Sequence, residues 1–362
     1  MKIGIIGLPL VGKTTIFNAL TSAHAKTSEI SFGHKELNRG VVKVPNPKLF
    51  KLAELYAPKK ITSVEIEYID VAGLVSETKE KKSEGEFFSA LHLVDELIAV
   101  IRTFKKESVI PPQGSIDPQR DLESLYTDLL LIDLDIAEKR VSKLEKTLKV
   151  KKGEEEKREL ELLNKCKNSL EQGIFLSELV FSQEEERLLR GFCFLTFKPI
   201  LVILNLGEDE IKNAGIMEKD FEKNLKTKKE NVVALCGELE MELTQLEEPD
   251  RASFMQDLGL ERLALSKVIE TSYKLLDLIT FYTANQNEVR AWAIKKGTNA
   301  LKAAGTVHSD MEKGFIKAEV VNIDKLLQFG SMHKAKEKGE YKLEGKDYLV
   351  QDEDVILFRF NV

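Results

Sequence analysis

Cysteine is scarce in this chain: three in 362 residues, at Cys166, Cys193 and Cys236. They stand far apart and form no CxxC pair. That supports neither a disulfide framework nor a zinc site, and it suits a reducing cytoplasm. Long apolar runs are missing as well. None approaches the roughly 18 residues that cross a bilayer, so no membrane association is expected. Nor does one charge dominate: 54 Lys and Arg against 60 Asp and Glu leave a formal net charge of −6. A protein coated all over to bind a polyanion is not expected, while a local basic face stays open. What is present is ordinary for a folded soluble protein. Apolar residues make up 43% and charged residues 31%, which excludes wholesale disorder. At about 150 residues per domain, the length suggests two or three domains.

The first twenty residues carry the clearest chemistry. Residues 3–11 are apolar enough to pass for a short signal peptide. The polar Gly12-Lys13-Thr14-Thr15 that follows fits a phosphate loop better. Ile3, Ile5 and Ile6 form a short β-branched run bounded by glycine, which reads as a buried parallel strand. Gly7-Leu8-Pro9-Leu10-Val11-Gly12-Lys13-Thr14 matches GxxxxGK[ST], and Ile16, Phe17, Ala19 and Leu20 continue at helical spacing. Glycines let successive backbone N–H groups point inward around a phosphate, and the helix start adds its positive dipole. Lys13 is expected on the β- and γ-phosphates and the Thr14 hydroxyl on Mg²⁺. A plain glycine-rich turn is the alternative, and the strand–loop–helix context argues against it.

Two further segments extend that reading. Val64 to Ile69 alternates and ends at Asp70-Val71-Ala72-Gly73-Leu74. A strand ending in Asp with Gly three residues on is the Walker-B arrangement, in which Asp70 holds Mg²⁺ through water and the Gly73 amide senses the γ-phosphate. Leu74 stands where Ras-like enzymes carry a water-orienting glutamine, and leucine cannot orient water. Pro199 to Leu204 is a short apolar strand ending at Asn205-Leu206-Gly207-Glu208. GTPases usually carry NKxD there, with Asp accepting from guanine's ring N–H and 2-amino group. Glu208 is one methylene longer and Leu206 replaces the lysine, which weakens the case for guanine. Asn205 is expected to read the base edge, unless the segment is only a strand-to-loop turn.

At this point the chain resembles the YchF or Obg-like ATPases, a group of translation-factor-related P-loop proteins. The phosphate loop, the Asp70–Leu74 run and Asn205-x-x-Glu208 all match. Cys236-Gly237 stands in the second base-side loop, where the family usually reads Ser-Ala. The strongest match is C-terminal: Thr283-Ala284, Glu288 to Trp292, Ala303-Ala304-Gly305, His308, Asp310, Glu312 to Ile316, Gly345 to Tyr348 and Phe360-Asn361-Val362. The resemblance runs from end to end. It implies an α/β P-loop domain with a mostly parallel sheet, interrupted by an α-helical hairpin arm and followed by a small α+β, β-grasp TGS domain. The expected limits are 1–117 and 196–277 for the nucleotide domain, 118–195 for the arm and 278–362 for TGS. It also implies ATP over GTP and association with the ribosome or its RNA, while Mg²⁺ is the cofactor expected from the motifs at Thr14 and Asp70. A cytoplasmic, monomeric protein is expected.

Three positions depart from the family pattern. Leu10 replaces an Asn of the phosphate loop. His34 stands at the Mg²⁺-ligating Thr of the switch segment when aligned on residues 38–42. Pro111 takes the place of a His implicated in hydrolysis, aligned on Asp117-Pro118. Each removes a polar group useful at the γ-phosphate; none removes the cradle. A slow regulatory ATPase is therefore expected, and no catalytic residue is assigned. The alternatives are a non-hydrolysing nucleotide-dependent binding module and a GTPase that keeps guanine specificity.

Outside the site, Leu122, Leu125, Leu129, Ile132 and Ile136 recur at helical spacing, with Val141, Leu144 and Leu148 continuing. The stripe breaks near Gly153 and resumes with Leu160, Leu163 and Leu170, as in an antiparallel coiled-coil hairpin. At its tip Lys149, Lys151 and Lys152 could meet RNA phosphates, but Glu154 to Glu156 partly cancel that field. From residue 278 onward, 13 Lys and Arg face 12 Asp and Glu, a formal +1 that makes no case for nucleic acid. Trp292 reads as a packed strand residue rather than a stacking platform, and His308 with Asp310 as a turn contact. His333, near Lys334, Lys336 and Lys338, reads as a solvated loop and as the best local candidate for an RNA contact.

Overall fold

The computed structural model describes residues 1–22, 37–71, 90–150, 153–227 and 230–361. The chain divides into two compact units, Met1–Val42 with Glu67–Leu275, and Lys43–Ile66 with Leu276–Val362.

The first unit is built on a six-stranded sheet. Its strands are β1 (Lys2–Ile6), β2 (Asn38–Lys43), β4 (Glu65–Asp70), β5 (Glu96–Arg102), β6 (Ile200–Asn205) and β7 (Glu230–Leu235), in the order β2-β4-β1-β5-β6-β7. From β4 to β7 every pairing is parallel. Parallel strands are covered on both faces, so they read as continuous apolar runs. Every residue of β5 and β6 is buried, and their stretches 97–101 and 200–204 are runs of that kind. Helix α1 (Lys13–Thr21) follows β1, as a phosphate loop requires.

The arm is α3 (Pro118–Val150) and α4 (Glu154–Glu171). Asp117 caps α3 by accepting from the Arg120 N–H at 3.1 Å, and Pro118 occupies the first turn, where no N–H is missed. Val141 and Leu144 bury with Leu162, Leu163, Cys166 and Leu170 in one apolar cluster, which Leu125 and Leu129 continue toward the sheet, so the 3.6-residue stripe serves both the hairpin and its root. Arg140 bridges them with a two-pronged pair to Glu159, both contacts 2.7 Å. Lys151 and Lys152 lie outside the described residues. At the root, Asp133 accepts from the Leu195 N–H (2.9 Å), the Thr196 N–H (2.7 Å) and the Thr196 hydroxyl (2.6 Å). Tyr126 donates to Glu230 of β7 at 2.9 Å. Helix α5 (Gln183–Leu189) lies between the arm and β6. After β6 come α6 (Ala214–Glu222), α7 (Gly237–Gln245), α8 (Glu248–Asp257) and α9 (Ala264–Leu275).

The second unit carries a mixed sheet in the order β11-β10-β12-β8-β9-β3. Its strands are β3 (Lys60–Thr62), β8 (Leu278–Ala284), β9 (Glu288–Lys295), β10 (Phe315–Asn322), β11 (Lys342–Glu344) and β12 (Asp354–Phe360). One face packs Phe281, Ile294, Ile356 and Phe358 against α10 (Ala300–Val307). The other packs Tyr282, Val289 and Val321 against α2 (Pro47–Tyr56) and α12 (Ile323–Phe329), through Leu49, Leu52 and Leu326. Residues 43–66, read from sequence as part of the nucleotide domain, thus belong to this unit. The physical reason is pairing at long range: β3 runs parallel to β9, Ile61 opposite Val289, and Asn46 donates to the Tyr282 hydroxyl at 2.9 Å.

Trp292 is a half-buried strand residue, donating to Thr283 Oγ1 at 3.0 Å and stacked on Phe281. His308 makes a turn contact, its Nδ1 accepting from the Asp310 N–H at 3.2 Å ahead of α11 (Ser309–Lys313). His333 is not in a loop. It lies in α13 (Met332–Glu337), because Ser331 caps that helix by accepting from the Lys334 N–H.

Candidate nucleotide-binding site

The loop 7–12 turns where β1 ends, and its glycines are there for space. Gly7 has φ +154, and a Cβ on it would stand 2.6 Å from the Val100 carbonyl oxygen. Gly12 has φ +93, and a Cβ would collide with the Asn205 amide nitrogen. Leu10 adopts φ 61 although it is not glycine. Leu8 and Val11 are buried, anchoring the loop, while Pro9 and Leu10 are half-buried. No side chain caps the first turn of α1, which leaves its backbone donors for an anion.

Lys13 is buried, and its Nζ donates to the carbonyls of Gly7 (3.0 Å) and Leu8 (2.7 Å). Burial pulls the ammonium down to about 8, opposed by the Asp70 carboxylate. Thr14 Oγ1 donates to Asp70 Oδ2 at 2.8 Å, and Asn38 Nδ2 approaches the same oxygen at 3.3 Å. The other carboxylate oxygen, Asp70 Oδ1, is buried with no hydrogen-bond partner. A hydroxyl beside a buried carboxylate with one unsatisfied oxygen fits a hard divalent cation held directly by Thr14 and through water by Asp70. Among the described residues, no group of three or more His, Cys, Asp or Glu forms a metal cage. Thr15 is half-buried beside Thr14. Gly73, Leu74 and His34 lie outside the described residues.

Asn205, expected at the base edge, sits where the phosphate loop and the two base-side loops meet. It is 4% exposed; its Nδ2 donates to the Val11 carbonyl (2.9 Å) and its Oδ1 accepts from the Gly237 N–H (3.0 Å). Its own carbonyl accepts from Thr103 N–H, Thr103 Oγ1 and Phe104 N–H. The residue ties three loops together, using one N–H and one oxygen lone pair of its amide to do so. A Cβ on Gly237 would stand 2.6 Å from Ile16 Cδ1 and 3.1 Å from Asn205 Oδ1, so a larger residue there would have to displace the Ile16 side chain. Leu206 is buried, Glu208 exposed at the start of a 3₁₀ turn, and Cys236 buried with its thiol pushed up by burial. Pro111 accepts from the Gly114 N–H in a turn and offers no polar side chain.

Sequence reasoning missed Phe104. Its half-buried ring comes within 3.9 Å of where a Cβ on Gly12 would stand, beside both the phosphate loop and Asn205. The signal available was an aromatic two residues past a buried strand, which is too common to stand out.

A family model described as a 50S ribosome-binding GTPase matches residues 2–165, and the YchF GTPase C-terminal model, described as a protein of unknown function, matches residues 278–361. Proteins called ribosome-binding ATPase YchF are 39% identical to this chain in Haemophilus ducreyi and in Bacillus subtilis. The matches cover 100% and 99% of this chain respectively, and 99% of each relative. The chain belongs to the YchF family. The solved YchF GTPase of Schizosaccharomyces pombe superposes with a TM-score of 0.81 at 25% identity, covering 99% of this chain and 97% of that one. YchF membership accounts for the α/β P-loop domain and the C-terminal match together. The bacterial relatives are called ATPases and the yeast protein a GTPase, so base preference turns on the site itself. Among the described residues, no helix is long and apolar enough to cross a membrane.

Proposed function

We propose that this chain is a ribosome-associated regulatory ATPase with weak intrinsic hydrolysis. The observation that carries the nucleotide reading is the meeting of Lys13, Thr14 and the unsatisfied Asp70 oxygen at one end of the parallel sheet. Mg²⁺, held by Thr14 and through water by Asp70, would neutralise phosphate charge. Lys13 and the loop amides fix the triphosphate, and catalysis then depends on positioning and charge stabilisation, with no covalent nucleophile. Support for adenine comes from buried Leu206 in place of a lysine and from Glu208 exposed in place of a fitted Asp. Phe104 offers a stacking surface beside Gly12. The ribosome enters through the relatives' names and the family model.

A non-hydrolysing binding module is the second reading, favoured by the apolar side chains at Leu10 and Pro111. Titration with fluorescent ATP and GTP analogues plus Mg²⁺ tests the first step. Lys13→Ala should weaken ATP binding by roughly 10- to 100-fold, the worth of charge-assisted hydrogen bonds to phosphate. Equal affinity for wild type and variant would refute the site. Multiple-turnover phosphate release then separates slow ATPase from binding module, and competition between ATP and GTP decides the base.

A further inference from the structure

A buried cation lies beneath the base side of this site. Arg102 ends β5 and is 1% exposed. Its Nε donates to the Phe104 carbonyl at 3.1 Å and its Nη2 to the Val109 carbonyl at 2.8 Å. The guanidinium carbon lies 4.4 Å from the centroid of the Phe104 ring. Nη1 is buried without a hydrogen-bond partner. Asp121, also buried, in the first turn of α3, supplies opposing charge and is held in turn by Arg120.

A buried guanidinium with an unsatisfied donor is an expensive way to fill space; an apolar side chain of similar volume would cost less. What Arg102 adds is geometry. Its planar fork closes the loop from Phe104 to Val109, and its flat face carries the Phe104 ring. The same loop is tied to Asn205 by the Thr103 and Phe104 amides and to α7 by the Lys106–Glu238 pair at 3.1 Å. The ring is therefore held at Gly12, half-buried, between the guanidinium and the base side of the phosphate loop.

We infer that Arg102 is a positioning residue for the nucleotide base, fixing Phe104 so that its ring stacks on the purine. The inference rests on the reading of this region as a nucleotide site. It separates base from phosphate: among the described residues, the hydrogen bonds of Arg102 go to Phe104 and Val109 and not to the phosphate loop, Lys13, Thr14 or Asp70, so its loss should be felt only by ligands that carry a base.

Calorimetric titration of the full chain with MgATP and with magnesium tripolyphosphate, which has no base, provides the test. Arg102→Met should weaken MgATP about tenfold, the usual worth of one base–aromatic stack, and leave tripolyphosphate unchanged. Phe104→Ala should do the same, and adding Arg102→Met to it should change affinity less than twofold further. Arg102→Lys keeps the charge without the fork and should fall between wild type and Arg102→Met; it carries the test if the methionine variant does not fold. Unchanged ATP affinity, equal losses for both ligands, or full additivity with Phe104→Ala would overturn the positioning role alone. Wild type that binds neither ligand would overturn the nucleotide reading with it.

Discussion

At the residue scale, the phosphate loop shows how one position records a substitution. Leu10 sits at φ 61, in the left-handed region, where a Cβ crowds the following carbonyl at a cost of roughly 1–2 kcal/mol. Asparagine visits that region more readily because its short polar side chain can bond locally. Leu10→Asn should therefore stabilise the folded chain by about 1 kcal/mol, read as a higher denaturant midpoint at unchanged m-value. A lower midpoint would show that half-buried Leu10 gains more from packing than it loses to strain. Gly12 allows no such exchange, since both its φ and the neighbouring Asn205 amide reject any side chain.

At the scale of elements, the arm is fastened to its domain by buried polar contacts as well as by its leucine stripe. Asp133 is the sharpest of these. Burial pushes its carboxyl up to about 6, against the pull of the Thr196 and Leu195 donors and of Lys198. The folded carboxyl thus keeps its proton to about pH 6, and the unfolded one only to about pH 4. The native state binds more protons across that window, so this group's contribution to stability falls as pH rises from about 4 to about 6. Measured against Asp133→Asn by urea unfolding, the wild-type advantage should shrink by up to about 3 kcal/mol across that range and stay level above pH 7. An advantage independent of pH from 4 to 7 would place the proton elsewhere. The arm's surface pairs, such as Lys139 with Asp135, are exposed and contribute little.

At the scale of the whole molecule, the second unit is assembled from two distant stretches of chain. Leu49 and Leu52 are fully buried against Val289 and Tyr282, more than 200 residues onward. Leu52→Ala should destabilise that unit by about 2–5 kcal/mol, the cost of a large-to-small core change. The single tryptophan, Trp292, lies in β9 of the same unit, so its fluorescence reports that unfolding directly. A tryptophan transition unmoved by Leu52→Ala would mean that α2 does not belong to the cooperative core formed by residues 276–362.

The sequence by itself determined the features whose chemistry is local. The phosphate loop is legible because glycine spacing dictates backbone angles within six residues. The arm is legible because a leucine stripe at helical period has one way to bury itself, and the C-terminal strands because they alternate. Only the tertiary structure decided the rest. Three-residue β3 has no pattern of its own and is defined by β9 across the sheet. Asn205 reads only as a base contact until Val11 and Gly237 are seen to bond its amide, which makes it a tie between loops as well. Arg102 looks like a charge at a strand end until Val109, Phe104 and Asp121 close around it. A polar side chain's role depends on what lies opposite it after folding, and contacts between residues far apart in the chain leave no periodic trace in the sequence.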